Sequence, residues 1–306
     1  MLPVSRLCSG GRPHTQPGPS MLKRLLLACA LLLSATAASA APQRAITDLG
    51  NNIYRFQNDT HYSIFIVGKR GVLMTDPINA DAARWLKGEV DKRFGKLPVT
   101  HLVYSHNHGD HVFGGEVWKE PGTRVIAHQL AAADLARNRA PTALPDITFS
   151  DRLNVDFEGR PIELRYHGPN NGAGNISLYV PDAKTLFVVD WIVLKRLPWM
   201  ELYYYNLDGM IASLHQALAI DFDTVAPGHG QTGTKADVRE FLAYLEDLCA
   251  AVLDGMNQGK TLAQLQQDIK LDKYAGYAKY REWLPLNIKG AYEQLAQTSG
   301  RFGQEK

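Results

Sequence analysis

Cysteine is almost absent from this 306-residue chain. There are three, and Cys8 and Cys29 lie in an N-terminal segment that reads as a leader. Cys249 is then left alone, and one thiol forms no internal disulfide. It lies in Leu245–Leu253, an apolar helical stretch, where a small core residue is expected. No linker rich in Ser, Gly or Pro, no low-complexity tract and no fixed-period repeat is present. Long apolar runs are missing too, apart from Leu25–Leu33, which is too short to span a bilayer as a helix. The chain therefore reads as neither a disulfide scaffold, a repeat array nor a stably inserted membrane protein.

Lys23-Arg24, the apolar run behind it and Ala38-Ser39-Ala40 have the order of a secretory signal peptide cleaved after Ala40. That order predicts a periplasmic or secreted protein. Met21 fits the true start, with residues 1–20 an upstream misread or an unusually long leader. Acylation at Cys29 fits poorly, because the apolar run continues past it. The leader holds Arg6, Arg12, Lys23 and Arg24 and no acid. Removing those four from 33 basic residues leaves 29 against 31 acidic ones, a net charge of −2. The sequence pI of 8.3 thus belongs to the leader. No basic run survives it, so a nucleic-acid partner is not expected.

Removing 40 of 306 residues leaves 266, enough for one large α/β domain with a filled core. Tyr62–Val67 and Val72–Thr75 are apolar runs around the turn Gly68–Gly71, a hairpin signal. Asp81–Phe94 has helical apolar spacing and stops at Gly95. Val99–Tyr104 reads as a buried strand and Gln129–Asn138 as a helix. Ile147–Phe157 and Ile162–His167 flank one turn. Ile176–Val180 and Thr185–Val189 flank another. Asp208–Leu218 reads as a helix with an Asp N-cap. Thr224–Ala226 is a strand, and helical spacing runs from Lys235 with a break near Gly259. Strands in hairpins mixed with outer helices predict two sheets sandwiched between helices, not a doubly wound parallel sheet.

The most informative stretch is His106-Asn107-His108-Gly109-Asp110-His111, directly after the Val99–Tyr104 strand. Imidazole and carboxylate are the natural ligands of zinc and similar divalent ions. If the chain stays extended there, the rings of His106 and His108 point to one side. Four donors on one loop crowd a single ion, so the motif suits two adjacent ions completed from elsewhere.

These residues match the H-x-H-x-D-H signature, and the chain resembles the metallo-β-lactamase superfamily. Leu186–Asp190 resembles that family's apolar strand ending in a metal-bridging Asp. Ala226–Gly230 resembles its late P-G-H-G motif, whose His, here His229, is a ligand. Thr75-Asp76-Pro77 resembles the early strand end whose Asp supports the ligand loop. The resemblance spans about residues 46–235. It implies an α/β fold, the four-layer αββα sandwich, over residues 41–235, after a leader at 1–40. A helical extension over 236–306 would pack on that sandwich.

One position departs from the pattern. The family has a third histidine in a segment like G-P-x-H, and this chain has Gly168-Pro169-Asn170-Asn171. The resemblance implies one site of His106, His108 and Asn171 and a second of Asp110, His111 and His229, with Asp190 bridging. A neutral amide is a poorer partner for zinc than imidazole. Asn171 is read as a weak ligand, or as a partner of bound water. An emptied first site and substitution by His167 remain as alternatives.

The implied chemistry is hydrolysis by a metal-activated hydroxide, since a divalent ion brings the pKa of bound water near 7. One or two zinc ions are expected, with iron or manganese as alternatives. Asp110 would orient the nucleophile and move its proton, and Asp76 would support the ligand loop. Trp191–Asn206 is expected to meet substrate, with Lys195 or Arg196 holding a carboxylate. The substrate class is a small ester, lactone, thioester or β-lactam. A mononuclear iron enzyme acting on persulfides is one alternative, and a non-catalytic metal- or ligand-binding protein is another. His61, His101, His128 and His215 read as structural. No residue pattern indicates an oligomeric state.

Overall fold

The computed structural model describes residues 41–298, so the expected leader lies outside the described residues. Seven strands form one sheet in chain order: β1 (Arg44–Asp48), β2 (Ile53–Asn58), β3 (His61–Val67), β4 (Val72–Thr75), β5 (Val99–Val103), β6 (Arg124–His128) and β7 (Ile147–Phe149). The first four run antiparallel, and β4 to β7 run parallel. The parallel crossovers carry α1 (Ala80–Phe94), the single turn α2 (Gly109–Val112) and α3 (Gln129–Arg137).

The second sheet is ordered β8 (Arg152–Phe157), β9 (Arg160–Tyr166), β10 (Ile176–Val180), β11 (Thr185–Val188), β12 (Thr224–Pro227) and β13 (Gly233–Thr234). Its one parallel pair is β11 with β12. Four helices follow or interrupt it: α4 (Leu207–Leu218), α5 (Lys235–Asn257), α6 (Leu262–Asp268) and α7 (Tyr280–Thr298).

Three apolar layers hold these elements together. Ile64, Ile66, Leu73, Val103 and Ile126 of the first sheet meet Ile162, Leu164, Leu178 and Phe187 of the second. The outer face of the first sheet packs on α1 and α3 through Phe65, Met74, Leu86, Val90 and Leu135. The outer face of the second packs on α4, α5 and α7 through Leu186, Val188, Leu214, Phe241, Leu245 and Ile288. The result is the four-layer αββα sandwich. Strands β4, β10 and β11 are buried at every residue, and their mostly apolar sequence follows from having both faces covered.

Local chemistry moves two expected boundaries. The run Ile147–Phe157 is broken at Ser150-Asp151, and its halves join different sheets. The N-cap of α4 is Asn206, whose side chain accepts the Gly209 N–H at 2.7 Å. Asp208 instead sits in the first turn, where its charge suits the helix dipole. Cys249 is free and half-buried against the helical core.

The segment between β11 and α4 is conformationally expensive. Asp190, Lys195, Met200, Leu202 and Tyr204 all have φ between 41° and 69°, a region that costs a non-glycine residue about 1–3 kcal/mol. The C-terminal helices hold it. Buried Asn287 of α7 donates to the Pro198 and Met200 carbonyls at 3.1 and 2.6 Å and accepts from the Tyr244 hydroxyl at 2.7 Å. Trp199 meets Trp283 edge-on at 5.2 Å. Replacing Asn287 with Ala orphans three buried groups, each worth about 1–3 kcal/mol. Urea denaturation of Asn287→Ala is expected to show a loss of at least about 3 kcal/mol. An unchanged midpoint would show that α7 does not hold the segment.

Candidate metal centre

Both sheets end their parallel strands at the same place. Asp76 follows β4, Ser105-His106 follows β5, Asp190 follows β11 and His229 follows β12. Cross-sheet bonds fix the join. Tyr62 N–H donates to the Gly228 carbonyl at 2.9 Å. The buried Arg55 guanidinium donates to the carbonyls of Pro227 at 2.5 Å and Gly230 at 2.7 Å.

The local backbone divides the histidine motif in two. His106 lies in a bend after β5, and His108 is extended as the N-cap of α2. Asp110 and His111 lie on α2, whose single turn is closed by Val112 N–H to the His108 carbonyl at 3.1 Å. His106 Nε2 and His108 Nδ1 each lie 3.1 Å from Asp190 Oδ2. His229 Nε2 and His111 Nε2 lie 3.1 and 3.4 Å from the other oxygen, Oδ1. One carboxylate therefore faces two clusters, with one oxygen toward each. The first cluster is His106, His108 and Asp190. The second is His61, Asp110, His111 and His229.

Divalent ions fit these donors. Ligands held at about 2.0–2.1 Å in a tetrahedron lie about 3.3 Å from one another. The second cluster has His111 Nε2 at 3.1 Å from His229 Nε2 and at 3.8 Å from Asp110 Oδ2. His61 Nε2 is 3.0 Å from Asp110 Oδ2. The far side of His229 sets its tautomer: its Nδ1 donates to the Thr60 carbonyl at 2.8 Å, which leaves Nε2 with its lone pair toward the cluster. His106 Nδ1 meets the Ser105 hydroxyl at 2.7 Å.

Electrostatics agree with a site made for cations. Burial holds His106 near 4, so its ring is neutral and able to ligate. Burial opposes charge on His111 too, but Asp190, Asp110 and Asp76 outweigh it and raise the ring to about 9. Burial likewise opposes charge on Asp190, yet His111, His106 and His108 hold that carboxyl well below the usual range. Asp76, Asp110 and Asp190 around these rings make a pocket that positive charge stabilises.

Asp76 is fully buried, and its Oδ1 accepts the Ser105 N–H at 2.8 Å. Burial pushes its carboxyl up to about 6. It does not cap α1, because Asn79 accepts the Asp81 and Ala82 N–H groups. Asn171 is 2% exposed, and its Oδ1 is buried without a hydrogen-bond partner. A side chain at the next residue, Gly172, would collide with His108 Nε2 at 2.9 Å, so this loop lies against the first cluster. His167 is elsewhere: its Nε2 meets the Ser177 hydroxyl at 2.8 Å, and burial lowers its pKa to about 4.

The expected substrate cations divide. Lys195 is paired with Glu240 and, at 3.5 Å, with Asp237, both on α5, so its charge is already matched. Arg196 is half-buried with its cation 5.4 Å from the Trp283 ring, its Nε unpartnered, and Asp190 and Tyr205 in its field. His101, His128 and His215 bond to Thr100, Ser150 and Glu246, outside both clusters. His61 was read as structural, yet it stands in the second cluster. No linear motif marks it, since only the packing of β3 against the β12 end brings it there. Tyr204 also emerges, 76% exposed with its ring 5.2 Å from His108.

A carboxylate between two imidazole clusters, at the strand ends of an αββα sandwich, is a candidate centre for divalent ions. The chain belongs to the metallo-β-lactamase superfamily, whose family model matches residues 58–229, more than half of its length. Members of that superfamily are mostly hydrolases that bind metal ions. The chain is 24% identical over 248 residues to the 2,4-dinitroanisole O-demethylase subunit alpha of Nocardioides sp. (strain JS1661), covering 78% of this chain and 71% of that one. A metallo-β-lactamase from Pontibacter korlensis superposes with a TM-score of 0.61 at 21% identity, over 67% of this chain and 99% of that one. An inverting sec-alkylsulfatase from Pseudomonas sp. gives 0.67 at 16% identity, over 82% of this chain but only 50% of its own.

If Asp190 joins the two clusters, its loss should weaken the hold on metal. Elemental analysis of Asp190→Ala, purified beside the wild type, is expected to fall by at least one metal ion per chain. Retention of the wild-type content would show that the ions do not depend on this carboxylate.

Proposed function

We propose that the chain is an exported, metal-dependent hydrolase acting on a small ester, lactone, thioester or β-lactam-type substrate. The observation that carries this reading is the division of the Asp190 carboxylate between two histidine clusters. When bound there, divalent ions such as zinc, iron or manganese supply Lewis acidity and acidify water at neutral pH. The protein's own part is to place a base and a substrate beside them. Asp110 is half-exposed, with its Oδ2 held by His61 at 3.0 Å. That leaves it positioned to orient water and to carry its proton toward a leaving group. The exposed Tyr204 ring supplies an apolar wall next to His108, and Arg196 lies in the field of Asp190.

Asn171 is read as the occupant of a position where relatives carry a ligand histidine. Its unpartnered amide oxygen supports that reading, because a buried acceptor without a donor is costly unless a cation or water meets it. The first cluster then has two imidazoles where the second has three, which favours a single tightly held ion as a second reading. Export rests on the Lys23–Ala40 pattern. The relatives' names range over an O-demethylase, alkylsulfatase and β-lactamase, so the substrate rests on the site.

The test is turnover of ester, lactone, thioester and β-lactam substrates by the purified protein. At least one class should be hydrolysed, the activity should disappear on chelation and return with zinc, and Asp110→Asn should lower kcat by about 10²–10⁴. Bound metal without turnover of any class would instead mark a binding protein on a hydrolase scaffold.

A further inference from the structure

The second cluster contains one donor more than the superfamily resemblance supplies. Asp110, His111 and His229 all belong to recognisable motifs. His61 does not, and nothing in the sequence around β3 marks it. Yet its Nε2 lies 3.0 Å from Asp110 Oδ2. Its ring centre is 4.8 Å from that of His229 and 5.4 Å from that of His111. One ligand atom from each of these four residues lies within 4.8 Å of the other three. The hairpin of β2 and β3 aims the ring, because Asn58 and His61 are paired across it. The same hairpin also anchors a partner, since the Thr60 carbonyl accepts from His229 Nδ1 at 2.8 Å. His61 and His229 are therefore positioned by adjacent residues of one turn.

We propose that His61 is a metal ligand, and that His61, Asp110, His111 and His229 form the chain's high-affinity site for a zinc-like ion. The inference rests on reading the cluster as a metal centre. It also accounts for the imbalance between the clusters. The first has lost an imidazole at Asn171, and the second has gained one at His61. Three imidazoles and a carboxylate supply four donors of the kinds zinc takes. The first cluster offers two imidazoles, one oxygen of Asp190 and a neutral amide. The first equivalent of metal is then taken up by the second cluster.

The test uses protein labelled with 15N-histidine and one equivalent of 113Cd²⁺, with scalar coupling between cadmium and ring nitrogen as the readout. Three coupled Nε2 resonances are expected, and His61→Asn should remove one of them. The same variant should weaken the first zinc equivalent at least about 10-fold in competition with a chromophoric chelator, with thermal unfolding of the metal-free protein unchanged. Two coupled Nε2 resonances, both retained in His61→Asn, would leave His61 as a support for Asp110 and overturn the proposal. Coupling to an Nδ1, the nitrogen His108 offers, would place the first ion in the other cluster and also overturn it. Failure of cadmium to bind at all would overturn the metal-centre reading itself.

Discussion

The structure turns on the Asp190 carboxylate. Its two oxygens face different histidine clusters, 3.1 Å from His106 and His108 on one side and 3.1–3.4 Å from His229 and His111 on the other. A buried carboxylate surrounded only by apolar groups would protonate. Here four imidazoles oppose the cost of burial, and the charge is kept. The end of β11 carries the carboxylate, the end of β5 delivers His106 and His108 to one of its oxygens, and α2 and β12 deliver His111 and His229 to the other.

Holding that carboxylate in place has a conformational cost. Asp190 itself sits at φ 69°, the first of five left-handed residues before α4. Strain of this kind persists only where surrounding structure over-determines it. The C-terminal helices supply that structure. Asn287 ties down the 198–200 backbone, and Gly290 lets α7 approach Glu201 so closely that a Cβ would lie 2.1 Å from its carbonyl oxygen. The extension beyond β13 thus supports the loop that shapes one wall of the centre. Residues 42–298 form one compact unit.

Much of this was legible in the sequence, and the parts that were not have physical reasons. His106, His108, Asp110 and His111 declare themselves because one short loop supplies donors to both clusters. Asp190 and His229 follow from the resemblance of Leu186–Asp190 and Ala226–Gly230 to the family's motifs. The sandwich follows from hairpins mixed with amphipathic helices. His61 was invisible because its role depends on which strand end packs beside it, and period-2 patterning does not encode that. The break at Ser150-Asp151 was missed because β7 and β8 are both apolar enough to read as one run. Lys195 looked like a substrate cation on charge alone, but the acids that match it lie more than forty residues away, on α5.

The most direct test of the central claim is an anomalous difference map from a zinc-soaked crystal. Two peaks about 3.5–4 Å apart, each beside a different oxygen of Asp190, are the predicted result. A single peak, or peaks that leave one Asp190 oxygen without a metal, would contradict a carboxylate shared between two ions.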